Sequence, residues 1–136
     1  MSTTEDLIKK HESCRLKPYL DTANPPKITI GWGRNLTDKG ISQKEADLMF
    51  TNDFEDTIQG LMIIFPDWMD FSENRRAVLL DMLYNLGRSK FMKFTKMIEA
   101  IRNRNWSVAA DEMLNSYWHQ QVHGRAEEDA QLLRKG

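Results

Sequence analysis

His11-Glu12-Ser13-Cys14-Arg15-Leu16-Lys17-Pro18-Tyr19-Leu20-Asp21-Thr22, followed shortly by Ile28-Thr29-Ile30-Gly31-Trp32-Gly33, is the stretch of this 136-residue chain that decides its fold. Upstream, Thr3 or Thr4 is placed to cap a short helix with Glu5 and Asp6 in its first turn, where negative charge meets the positive end of the helix dipole. Leu7, Ile8 and His11 share one face of that helix, which is expected to be buried, and the helix should end near Glu12 or Ser13. Then the pattern changes. Pro18, Pro25, Pro26, Gly31 and Gly33 interrupt helices, and Lys27-Ile28-Thr29-Ile30 alternates as a strand does. A small twisted antiparallel sheet follows from this, with Asn24-Pro25-Pro26 as its turn.

Beyond the sheet the chain reads as helix. Ser42-Gln43-Lys44-Glu45 is a capping box. It opens a long helix in which Ala46, Met49, Phe50, Phe54, Ile58 and Leu61 recur at helical spacing, and Pro66 ends it. Ser72 caps the next helix, with Val78, Leu79, Met82, Leu83 and Leu86 on one stripe and Gly87 as its stop. Phe94, Met97, Ile98 and Ile101 mark another, and Trp106, Ala109, Ala110, Met113 and Leu114 one more. A last helix is expected from about Arg125 to Leu133. The fold class is therefore α+β and mostly α, within a single domain over 1–136. A small N-terminal lobe (about 12–60) carries the sheet, and a long helix joins it to a helical C-terminal lobe (about 61–136), on which the first helix is expected to pack. A cleft between two lobes is a natural place for an extended polymer.

The length suffices for one domain burying roughly two-thirds of its unfolded surface. Nineteen Lys and Arg against 20 Asp and Glu give a net charge of −1, which disfavours a nucleic-acid partner. Cys14 is the single cysteine, so no internal disulfide can form, and this suits a reducing compartment. The polar start Met1-Ser2-Thr3-Thr4-Glu5-Asp6 has no apolar secretory core, and no apolar run reaches the ~20 residues that span a bilayer. Neither a signal peptide nor a stable membrane anchor is expected. Arg88, Lys90, Lys93, Lys96, Arg102 and Arg104 stand against Glu99 alone, as a face for an acidic polymer or simply a solvated helix surface.

Glu12 falls at the C-terminal end of the first helix, where the dipole disfavours negative charge. It is either a solvated glutamate or an acid tuned to donate a proton. Asp21 follows nine residues later, as a turn aspartate bonded to backbone amides, a second functional carboxylate, or both. Thr29 is explained by strand propensity alone or by a role in orienting water. Two separated carboxylates with a group between them that can hold water are what glycoside hydrolysis needs. Trp32 is either core or an apolar platform for a sugar. A metal site at His11 is not supported: H-E-x-x-H requires histidine where Arg15 stands, and His11 beside Cys14 reads as a buried pair. No metal or cofactor is expected.

The segment from Glu12 to Gly33 resembles the phage-type lysozymes, endolysins of the T-even lysozyme family (glycoside hydrolase family 24). Their pattern E-G-x-x-L-x-x-Y-x-D-x, followed by a T-I-G-x-G strand, matches here almost position for position. The resemblance implies an N-acetylmuramidase in which Glu12 protonates the glycosidic oxygen, Asp21 is the second carboxylate and Thr29 holds the attacking water, with inversion at the anomeric carbon. It also makes Asn35, Tyr84 and Asn85 candidate substrate contacts, and aligns Arg125 with an arginine that approaches the catalytic glutamate in relatives. The implied partners are peptidoglycan glycan strands. The implied setting is a monomer held in the host bacterial cytoplasm until a holin-type protein opens the way to the wall. Three departures stand out: a shorter hairpin after Thr37, a longer turn before Thr29 carrying Pro25-Pro26, and near-neutral charge. A lytic transglycosylase, which does not need Asp21, and a non-catalytic wall-binding module are the alternatives.

Overall fold

Ser2, rather than Thr3 or Thr4, starts the first helix: its Oγ accepts from the Glu5 amide at 3.1 Å. The computed structural model describes residues 2–136, the Tyr117 side chain excepted. It divides the chain into two compact units, Met1–Leu48 and Met49–Gly136. Among the described residues the secondary structure is α+β and mostly helical, with one three-stranded antiparallel sheet.

In the first unit, α1 (Thr3–Glu12) ends at Ser13, whose amide donates to the Lys9 carbonyl at 2.9 Å with φ +55° and ψ 163°. That backbone conformation favours glycine. Next come β1 (Arg15–Leu20), β2 (Ile28–Gly31) and β3 (Arg34–Asn35) in the order β1-β2-β3. Thr29 lies opposite Tyr19 on one side and Asn35 on the other. β3 runs straight into α2 (Leu36–Lys39), a single turn that periodicity could not reveal. The expected capping box is present: the Ser42 amide donates to Glu45 Oε1 at 2.9 Å and the Glu45 amide to Ser42 Oγ at 3.1 Å. Arg34 forks onto both oxygens of Glu45 at 2.8 and 2.7 Å, tying β3 to the start of α3 (Gln43–Ile64). That contact, with the Ser42 amide, pulls the Glu45 carboxyl down to about 2.

Hardly anything in this unit is buried. Thr29, at 5% exposure, is its one fully buried residue among those described. Leu7 and Ile8 stay 53% and 54% exposed, and His11 and Cys14 are exposed as well, so neither a buried face on α1 nor a buried His–Cys pair forms. Trp32 is 48% exposed, with the Lys9 ammonium 5.1 Å from its ring centre, and is not core. A three-stranded sheet with α1, the single turn of α2 and the first residues of α3 leaves these groups exposed. Hydrogen bonds and ion pairs hold the unit instead.

The second unit carries the apolar core. Ser72 caps α4 (Glu73–Leu86) through the Arg75 amide at 3.2 Å, and Gly87 at φ +81° stops it. α5 (Arg88–Phe91), α6 (Thr95–Arg102), α7 (Trp106–Leu114), α8 (Tyr117–Gln121) and α9 (His123–Lys135) follow. α7 packs on α9, and both carry fully buried alanines: Ala109 and Ala110 on one, Ala126 and Ala130 on the other. Leu61, Phe65, Leu79, Met82, Phe91, Ile101 and Met113 complete a continuous core. Arg75 satisfies the last carbonyls of α9, donating to Leu133 O at 2.8 Å and Arg134 O at 3.1 Å. No described helix is long and apolar enough to cross a membrane.

Candidate active site

Glu12 is the last residue of α1, exposed, and its carboxyl group lies directly against Gly33. A Cβ placed on Gly33 would fall 2.5 Å from Glu12 Oε2 and 3.0 Å from its Cδ, so the carboxyl end of this exposed side chain would have to swing aside. Gly33 also holds φ +81° in the turn between β2 and β3. The second glycine of Gly31-Trp32-Gly33 thus meets two local demands, a left-handed turn and close approach of the Glu12 carboxyl.

Asp21 and Thr29 are joined through one residue, Lys27. Asp21 Oδ1 accepts from the Ala23 amide at 3.0 Å and the Lys27 amide at 2.9 Å. The Lys27 carbonyl in turn accepts from the Asp21 amide at 2.9 Å and from the Thr29 hydroxyl at 3.2 Å. Asp21 is thus the amide-bonded turn residue that its neighbourhood predicted, half-buried and fixed through one oxygen. No described residue hydrogen-bonds its other oxygen, Oδ2, which is left to interact with water or substrate. The Lys27 ammonium meets Asp38 at 3.2 Å and, with the Asn35 side chain, holds the Asp38 carboxyl below its ordinary value.

Asn35 pairs with Thr29 across the sheet and spends its amide locally. Oδ1 accepts from the Asp38 amide and Nδ2 donates to Asp38 Oδ2, both at 3.0 Å, so it caps α2.

The other three candidates belong to the second unit, each with a partner there. Tyr84, 41% exposed on α4, sets its ring 5.6 Å from that of Phe50. Asn85 Oδ1 accepts from the indole N–H of the buried Trp118 at 2.6 Å. Arg125 donates from Nε to Asp81 Oδ2 at 2.9 Å and from Nη2 to Oδ1 at 2.5 Å. That fork pulls the Asp81 carboxyl down and the Arg125 guanidinium up. Beside them Asp129 is buried, and burial first, then the neighbouring Asp81, pushes its carboxyl up to about 8. A cavity of about 510 Å³ in this unit, floored by Phe94, Met97 and Trp118 and rimmed by Lys90, Lys93 and Lys96, includes none of the seven candidates.

Sequence reasoning missed Gly33, Lys27 and Asp81. Only Gly33 left a signal, in the G-x-G pattern. Lys27 acts through its backbone, and Asp81 is linked to Arg125 across 44 positions.

The chain aligns over 96% of its length with the pre-baseplate central spike protein Gp5 of Enterobacteria phage T4, at 26% identity, and spans only 27% of that protein. It aligns over its whole length with probable T4-type lysozymes 2 and 1 of Dictyostelium discoideum, at 25% and 21% identity, covering 96% of each. Those alignments run to 165 positions against the 136 residues here, so this chain lacks residues that the relatives carry. Where the motif has glycine after the acid, this chain has Ser13 in a glycine-favouring conformation. The phage lysozyme family model matches residues 9–134, and the chain belongs to that family.

Proposed function

We propose that this family member is a muramidase, hydrolysing the β-1,4 bond between N-acetylmuramic acid and N-acetylglucosamine in peptidoglycan. Glu12, protonated, donates to the glycosidic oxygen as the bond to the anomeric carbon breaks. Positive charge builds at that carbon and the ring oxygen. Asp21 stabilises this charge through its free Oδ2 and takes a proton from the attacking water. Thr29 donates to the Lys27 carbonyl and so keeps its oxygen lone pairs free to accept from that water. Attack on the face opposite the leaving group inverts the anomeric carbon, which needs carboxyl groups about 6.5–9.5 Å apart.

The observation that carries this reading is the pair of local constraints in the first unit. The Glu12 carboxyl lies against Gly33, and the Asp21 carboxylate and the Thr29 hydroxyl both bond to the backbone of one residue, Lys27.

Purified peptidoglycan, incubated with wild type, Glu12→Gln and Asp21→Asn, tests it. Asn can accept the same two amide bonds, so Asp21→Asn keeps the turn while removing the charge. Both variants should lose at least about 10²-fold of the clearing rate. Products should carry reducing ends and form first as α-anomers by proton NMR. Clearing unchanged in Glu12→Gln, or 1,6-anhydro ends by mass spectrometry, would overturn the reading; the latter identifies a lytic transglycosylase.

A further inference from the structure

The three histidines of the chain are His11, His119 and His123, and the last two meet a carboxylate far in sequence from Glu12. His119 lies in α8, His123 opens α9, and Glu127 follows one turn on. The two imidazole rings stack with centroids 4.6 Å apart and planes 21° from parallel. Both turn the same nitrogen to the same oxygen: Nε2 of His119 is 3.3 Å from Glu127 Oε1, and Nε2 of His123 is 3.2 Å from it. All three atoms lie within 4.8 Å of one another.

Two imidazoles and a carboxylate make the donor set that suits zinc, with bond lengths of about 2.0–2.2 Å. Ligand atoms at that radius on a tetrahedron stand about 3.3 Å apart, which is the separation of both N···O edges here. We infer that His119, His123 and Glu127 form a three-ligand site for a divalent cation of the zinc class. One cation takes Oε1 and the two Nε2 lone pairs, the stacked rings tilting on binding to aim those in-plane lone pairs at it; each imidazole keeps its remaining proton on Nδ1, and a fourth, solvent-facing position stays open. The exposures of 23%, 69% and 52% leave it that access.

The location gives the site a purpose. Between α8 and α9, Val122 leaves helical geometry at φ −131° and ψ 52°, so one short turn and one long helix meet at a bend held by its backbone bonds to Trp118 and Ala126. The cation would clamp that bend one residue from Trp118, whose indole reaches Asn85. Arg125, the closest cationic residue along α9, has its charge held by Asp81 and does not compete for Glu127.

The test is zinc chloride titrated into metal-free protein by calorimetry, with thermal melts alongside. Cys14 is an exposed thiol three residues from His11 and could hold zinc by itself, so Cys14→Ser is titrated in parallel. Wild type and Cys14→Ser should bind one equivalent alike, and excess zinc should raise the melting midpoint by several degrees. Magnesium should not raise it. His123→Ala and Glu127→Gln should weaken binding more than about tenfold and abolish the midpoint shift. Their melts in chelator should match wild type, because both side chains are largely exposed. No saturable binding would show that the triad is held by protons alone and overturn the inference. So would binding lost in Cys14→Ser, or retained in full by the two triad variants. None of these readouts depends on glycan hydrolysis.

Discussion

Alanine at Gly33 separates the seating of the acid from ordinary backbone strain. The added Cβ would stand 2.5 Å from Glu12 Oε2, where ordinary contact begins near 3.4 Å, so the carboxyl must withdraw by about 1 Å. A misplacement of about 1 Å at a reacting group can cost on the order of 10²-fold in rate. Alanine at φ +81° also strains the backbone by about 1–2 kcal/mol, a fall of roughly 3–10 °C in melting midpoint for a chain of this size. Gly31→Ala supplies the control. Its φ is +67°, and nothing lies within 4 Å of the added Cβ. It bears the same kind of strain without touching Glu12. Both variants should lose similar stability in urea or thermal melts, while only Gly33→Ala loses clearing of peptidoglycan, by about 10²-fold. Equal activity in the two variants, after matching for folded fraction, would refute the assignment of Gly33 as the seat of the acid.

Ser13→Gly should stabilise the chain by about 1 kcal/mol in urea unfolding, because it relieves a serine at φ +55° while keeping the amide bond to Lys9. Asn85→Ala should cost about 1–3 kcal/mol, since it strips the buried Trp118 indole of its acceptor, and Trp118 fluorescence should shift with it. Asp129 carries a pH signature. Its folded value near 8 lies above the ordinary 3.8, so the stability tied to its protonated form is full below about pH 4 and lost as pH rises towards 8. Asp129→Asn, which mimics the protonated acid, should match wild type in melts near pH 4 and exceed it increasingly up to pH 8. Asp81, held down by Arg125, works in the opposite sense, losing its contribution as pH falls.

Local signals read well from the sequence because they are made of neighbours. The Ser42–Glu45 box, the Ser72 cap, the Gly87 stop and the alternating Lys27–Ile30 strand each lie within a few residues, and each appears where expected. The first cap slipped by one residue because Ser2, Thr3 and Thr4 offer the same hydroxyl. α2, α5 and α8, at four to five residues, are shorter than one period of an apolar stripe can reveal. The pairs Arg125–Asp81 and Asn85–Trp118, 44 and 33 positions apart, were invisible because tertiary packing alone creates them. Glu12, Asp21 and Thr29 were legible as residue types in a motif. The residue whose backbone links two of them, and the glycine beside the third, were not.

The ring of hydrogen bonds closed by Asp21 and Lys27 has a consequence for the loop it brackets. Its members are residues 21, 23, 27 and 29, so Asn24, Pro25 and Pro26 belong to none of its bonds. Those three positions can exchange side chains without removing any bond of the ring, whereas a change in length alters the span that the two Asp21–Lys27 bonds close.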